Sequence, residues 1–235
     1  SSRAATALDD GTGSREEGVM NRADAEILWE AASVLARDAA RVSRARGTAP
    51  PNLPPLLFFT DPDRTPRPWE TAARLPPGAG VVFRHFGRAD ARETALRLRE
   101  ATRGRDGLLL IGLDAELAEA VGADGVHLPE RALDLAGELA AARPDWRITG
   151  AAHRRTALDA PGLDAVVLSP LFAAGGRSPG RPPLGVQAFG EWVGAAPCPV
   201  YALGGIDAAN ARALMSSGAC GLAGVGAIQA AFGPD

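Results

Sequence analysis

Residues 108–128, LLLIGLDAELAEAVGADGVHL, read as strand, helix, strand. The run 108–113 is apolar without a polar alternation, which is the texture of a parallel strand covered on both faces. An Ala/Leu/Glu stretch over 115–121 follows, and the short apolar run GVHL at 125–128 resumes the strand texture. Two apolar runs joined through a helix form a βα unit. The same alternation extends in both directions. Candidate strands fall at 56–60, 81–86, 108–113, 125–128, 147–153, 165–169, 200–203 and 221–225. Helices are expected near 69–75, 91–103, 115–121, 132–142, 154–159, 186–194, 207–217 and 227–232. Eight alternations over 55–232 predict an α/β chain with a single (β/α)8 TIM barrel. A doubly wound open sheet is the competitor, and it needs a glycine fingerprint after its first strand. FFTDPDRTP stands there, without a glycine.

Upstream of the barrel, Ile27, Leu28, Ala31, Leu35, Ala39 and Val42 recur at helical spacing. They predict an N-terminal amphipathic helix within 20–46, ended by Gly47 and the Pro-rich TAPPNLPP. Such a helix either caps the barrel bottom or offers a contact for a partner, including a homodimer. Residues 1–19 are small, polar and aperiodic, the composition of a disordered tail.

Of the 235 residues, 46% are hydrophobic and 23% charged, a globular balance. All 25 basic residues are arginine, and no lysine occurs. That excludes Schiff-base aldolase chemistry, an internal pyridoxal imine, a Walker lysine and a lysine general base. Arginine in place of lysine over the surface fits an Ala/Gly/Pro/Arg-rich coding bias. With a net charge of −3 and scattered arginines, a nucleic-acid partner is not expected. Cys198 and Cys220 form no CxxC, and no secretory leader or apolar run of membrane length is seen, so a cytoplasmic location with no membrane partner is expected.

In such barrels functional groups sit at the carboxyl ends of the strands. All three histidines, His85, His127 and His153, fall there, with Arg84 at the end of the second strand and Ser169 at the end of the sixth. His127, between Val126 and Leu128, suits a structural role; His153, at the start of a polar turn, suits acid–base work. LGGID after strand seven and GVGAI after strand eight place Gly204, Gly205, Gly226 and Ala227 where barrels hold phosphate through backbone amides. The loop AAGGRSPGRPPLG carries Arg177 and Arg181, which can meet an anion or remain in a solvated linker.

LLFFTDPDR, VVFRHF, AVGADGVHLPE, ITGAAH, SPLF…PPLG, CPVYALGGID and GLAGVGAI resemble, in order, the segments of thiamine phosphate synthases and the related TenI-type thiazole tautomerases. The resemblance spans residues 55–232 and implies a barrel that binds thiazole phosphate at the loops after strands seven and eight. In the synthases it also implies a pyrimidine diphosphate held with Mg²⁺, losing pyrophosphate as the thiazole nitrogen attacks. The family's Gln-x-Arg-x-Lys of strand two keeps only Arg84, with Phe86 in place of the lysine. Its Asn-Asp pair falls on Gly112 and Leu113, with Asp114 one place later; its second acidic ligand falls near Ala132, with Glu130 the nearest carboxylate. A serine of strand five becomes Ala151, and a lysine after strand six becomes Arg177. No metal ligand is therefore assigned, and Mg²⁺ is retained only as a candidate cofactor whose ligand positions are lost. His153 falls on the histidine that the tautomerases use for proton transfer, or, with a one-residue slip, Arg154 does. The expected function is action on a phosphorylated thiazole or related metabolite, with catalysis by His153 and Arg84. A non-catalytic phosphometabolite binder is the alternative.

Overall fold

The structure is a computed structural model describing residues 13–173 and 181–234, with side chains from Arg22 onward. Eight parallel strands close on one another in chain order. They are β1 (Leu56–Phe59), β2 (Gly80–Phe83), β3 (Leu108–Gly112), β4 (Gly125–Leu128), β5 (Arg147–Ala152), β6 (Ala165–Leu168), β7 (Val200–Leu203) and β8 (Gly221–Gly224). Helix α1 (Gly13–Ala45) precedes them; α2 (Pro68–Ala72), α3 (Ala91–Arg103), α4 (Ala115–Ala120), α5 (Ala136–Ala142), α6 (Gly185–Ala195) and α7 (Gly226–Phe232) lie between and after. The closure is direct, with Leu57 opposite Ala223 and Phe58 opposite Gly224. The chain is thus the expected (β/α)8 barrel.

Period-two alternation divides each strand between two cores. Leu57, Phe59, Val82, Leu110, Val167, Tyr201 and Ala223 fill the barrel interior. Leu56, Phe58, Val81, Leu109, Val126, Ile148 and Leu222 face the helices. Each such side chain, fully buried, contributes roughly 1.5–3 kcal/mol. Gly221 is required by a neighbour: a Cβ there would lie 2.8 Å from the Tyr201 ring, whose hydroxyl donates to the Pro54 carbonyl at the barrel bottom. Two aspartates tie alternate units together. Asp124, just before β4, accepts from Leu109 N (2.7 Å), and Asp164, just before β6, accepts from Ile148 N (2.7 Å).

Helix α1 packs on the β8 side of the barrel, and its Ala39 reaches the interior cluster beside Leu53 and Leu108. Leu28, Ala31, Ala32 and Leu35 are buried, and the helix lies against β8, α7 and a 3₁₀ turn at Ala211–Leu214. It fills an outer layer that this turn alone leaves thin. Leu28, Ala31, Ala32 and Leu35 of its apolar face are therefore spent within the chain, while Val42 is exposed. The helix also begins at Gly13, inside the stretch expected to be a disordered tail; once a helix is nucleated, each added residue gains a backbone bond. Residues 1–12 lie outside the described residues.

Other expectations change, among them the helix expected near 154–159, which is a 3₁₀ turn, Arg155–Asp159. The helix expected over 207–217 is reduced to Ala211–Leu214 because Asp207 and Asn210 spend their side chains on a turn: Asp207 Oδ1 accepts from Ala209 N and Asn210 N, and Asn210 Oδ1 from Asp207 N. The helix expected at 132–142 is split at a kink at Ala132 into a 3₁₀ turn, Glu130–Leu135, and α5. Strand β2 stops at Phe83, since Arg84 N bonds the Thr60 hydroxyl and Phe86 takes a left-handed φ of 49°.

Candidate active site

At the carboxyl ends of the strands, β1 and β2 together fix an arginine. Arg84 donates from Nε to the Thr60 carbonyl (2.9 Å), and its Nη2 stands 3.9 Å from Asp61 Oδ2. Its guanidinium carbon lies 5.4 Å from the Phe59 ring centroid and 5.5 Å from that of Phe86, so the charge is sandwiched between two rings. Asp61 is buried; its place at the end of β1 puts it among the rim residues in sequence, but only the structure gives it a role as the partner of Arg84.

Beneath this arginine His127 points into the barrel. Its ring meets Phe59 edge-on at 5.0 Å, and Nδ1 lies 2.9 Å from the Thr149 hydroxyl. Burial, then the positive charges of Arg84 and His153, lower its pKa to about 3. At neutral pH it is a neutral, hydrogen-bonded floor to the site.

His153 leaves the end of β5 toward β6. Its Nδ1 lies 2.9 Å from the Ser169 carbonyl oxygen and 3.2 Å from the Ser169 hydroxyl. The backbone N–H of His153 donates to Glu130 (2.5 Å), whose other oxygen accepts from Arg154 Nε (2.6 Å). Burial works to raise the Glu130 pKa, but the His153 N–H and Arg154 outweigh it and hold it below the usual range. Glu130 thus orients the β5 end and Arg154 is its partner, leaving His153 as the ring at the site.

His85 and Asp114 do not join this group. His85, after the inward Arg84, alternates outward onto the Phe83 ring (5.8 Å), and its Nε2 pairs with Asp114 Oδ2 at 3.3 Å. Asp114 also caps α4, accepting from Leu117 N at 2.8 Å. Beside them Phe86 (55% exposed) and Leu113 (42% exposed, φ 60°) put two apolar side chains on left-handed backbone at the rim. These are the positions at which the resemblance implies a lysine and a metal carboxylate. Among the described residues no three His, Cys, Asp or Glu side chains cluster as a metal site.

On the far side of the mouth the β7 loop turns through Gly204 and Gly205, both left-handed (φ 105° and 65°). The turn is pressed against the segment after β6: a Cβ on Gly205 would lie 2.6 Å from the Ala173 carbonyl. Asn210 Nδ2 donates to the Gly205 carbonyl at 2.8 Å and holds the turn. Gly226 and Ala227 open α7 directly after β8. Arg177 lies outside the described residues, and Arg181 is exposed. Among the described residues no helix is long and apolar enough to cross a membrane.

The family model described as thiamine monophosphate synthase (TMP-TENI) matches residues 71–228. The thiamine-phosphate synthase of Chlorobium luteolum is 34% identical over 192 residues, covering 79% of this chain and 90% of that protein. The thiamine-phosphate synthase of Methanoculleus marisnigri is 35% identical over 158 residues, covering 64% and 74%. Among solved structures, thiamine phosphate pyrophosphorylase from Pyrococcus furiosus superposes with a TM-score of 0.65 at 22% identity, covering 79% of this chain and 90% of that one, a likeness of fold.

Proposed function

The chain belongs to the thiamine monophosphate synthase (TMP-TENI) family, and from that membership we propose that it binds a phosphorylated thiazole and moves a proton on it through His153, without condensing it with a pyrimidine diphosphate. The observation that carries this reading is the bond between His153 Nδ1 and the Ser169 carbonyl. A carbonyl only accepts, so Nδ1 carries a proton, and Nε2 is the nitrogen left to take up or give back the other one. A positioned imidazole of that kind can take a proton from one atom of the ligand and return it to another. Arg84, held between two rings and beside Asp61, supplies a fixed positive charge across the mouth. The Gly204–Gly205 turn and the start of α7 offer backbone N–H groups to the phosphate.

The residues present do not fit a Mg²⁺ seat. Mg²⁺ demands hard oxygen ligands in near-octahedral array. Leu113 presents a hydrocarbon, Asp114 is engaged by His85 and the α4 cap, and Glu130 is engaged by His153 N and Arg154. No step is routed through a metal. A barrel that binds without turnover is the second reading, favoured by that engagement of both carboxylates in the framework. Purified protein supplied with thiazole phosphate, pyrimidine diphosphate and Mg²⁺ is the test. The proposal predicts no thiamine phosphate; its formation at the rate of a working synthase would overturn the proposal.

A further inference from the structure

We propose that Arg64, on the loop after β1, is a clamp that closes the phosphate seat from the β1 side and sets its preference for a phosphomonoester. This deepens the function proposed above and rests on it for the identity of the ligand. The loop is built to hold the arginine in place. The Asp61 carbonyl accepts from Arg64 N (3.1 Å) and Thr65 N (2.8 Å), and the Thr65 hydroxyl donates to that carbonyl (2.8 Å) and accepts from Asp61 N (2.9 Å). Asp61 Oδ1 accepts from Asp63 N (3.0 Å), which completes the turn.

Because β1 closes the barrel against β8, that turn carries Arg64 across to the loop after β8. Its guanidinium rests against Gly226: a Cβ on residue 226 would lie 2.6 Å from Nη2 and 3.6 Å from Cζ. Gly226 therefore gives both an approachable backbone and the space in which the arginine lies. Arg67 and Arg74, the next arginines along the chain, are spent on the protein itself, on Glu70 and on the Gly233 carbonyl. Arg64 is exposed and, among the described residues, has no carboxylate partner. A planar guanidinium over a glycine turn can meet two phosphate oxygens at once while backbone N–H groups meet the others. In a chain without lysine, a side chain that stays cationic at every working pH has to be an arginine.

Calorimetric titration with thiazole phosphate, with inorganic phosphate and with the dephosphorylated thiazole alcohol separates the possibilities. Loss of a charge-assisted bidentate contact predicts that Arg64→Ala weakens thiazole phosphate and inorganic phosphate by about 10- to 100-fold. The alcohol should bind Arg64→Ala and the unsubstituted protein alike. Arg64→Lys should recover part of the loss, and Gly226→Ala, which displaces the guanidinium, should mimic Arg64→Ala. If thiazole phosphate binds Arg64→Ala as tightly as the unsubstituted protein, the clamp is wrong and the functional reading stands. If the unsubstituted protein binds no thiazole phosphate, the functional reading fails and the clamp with it.

Discussion

His153 Nδ1 and the Ser169 carbonyl oxygen, 2.9 Å apart, fix which face of the imidazole can do chemistry. The partner is a backbone oxygen, so the Ser169 hydroxyl, at 3.2 Å, is secondary. Two substitutions should therefore separate. His153→Gln should lower the proton-transfer rate by about 10²- to 10⁴-fold, the usual contribution of a general acid–base group. Ser169→Ala should change it by less than about threefold, because the backbone acceptor remains. Steady-state rates on thiazole phosphate measure both, and a Ser169→Ala loss as large as that of His153→Gln would show that the hydroxyl does the positioning.

Acid should destabilise the protein earlier than its carboxylates alone dictate. The folded pKa of His127, about 3, lies below the unfolded value near 6.5, so the unfolded chain takes up the proton first. Stability is then level above about pH 6.5, falls as pH drops toward 3 at up to about 1.4 kcal/mol per pH unit, and loses nothing more through this group below that. Glu130, whose folded pKa is lowered, adds its own loss below its unfolded value, in more acid solution. Urea unfolding at pH 7.5, 6 and 5 should show the decline, and His127→Gln should remove the part between pH 6.5 and 5.

The two left-handed rim residues should respond differently to relief of strain. A non-glycine residue in that region costs about 1–2 kcal/mol, and asparagine tolerates it. Leu113→Asn should stabilise the protein by about 1 kcal/mol. Phe86→Asn should gain less, because it forfeits the ring stacked on Arg84, worth roughly 0.5–1 kcal/mol. Denaturant midpoints at neutral pH report both, and an equal gain would mean that the Arg84–Phe86 contact carries no energy.

Helix α1 is wall rather than appendage. Leu35 is 1% exposed within it, so Leu35→Ala should cost about 2–5 kcal/mol, a core value. Val42, 44% exposed on the same helix, should cost less than about 0.5 kcal/mol when cut to alanine. Equal effects at the two positions would place the helix off the barrel.

Much of this architecture is legible in sequence because β strands buried on both faces read as uninterrupted apolar runs. The segments LLLIG and GVHL are seen directly. Where side chains compete with the backbone, the reading fails, as with Asp207 and Asn210, whose turn replaces most of a helix. At the rim, strand order locates the residues, but their direction depends on where each strand stops. His85 follows Arg84 by one place and so faces outward, which alternation would have shown. The engagement of Glu130 with the His153 N–H joins residues 23 positions apart, and no local pattern announces it. Arg64 escapes for the same reason, since its reach to Gly226 exists only once the barrel closes. The missing lysine narrows in meaning. Arginine for lysine keeps the charge, whereas Phe86, where the resemblance implies a lysine, is a ring packed on an arginine.

Proton transfer by His153 is tested most directly by nuclear magnetic resonance of thiazole phosphate tautomers in D₂O. With the unsubstituted protein the account predicts interconversion, with solvent deuterium entering the transferred position, and predicts that His153→Gln, still folded and still binding the ligand, abolishes both. Undiminished conversion by His153→Gln, or a ligand that binds and is never converted by the unsubstituted protein, would contradict it.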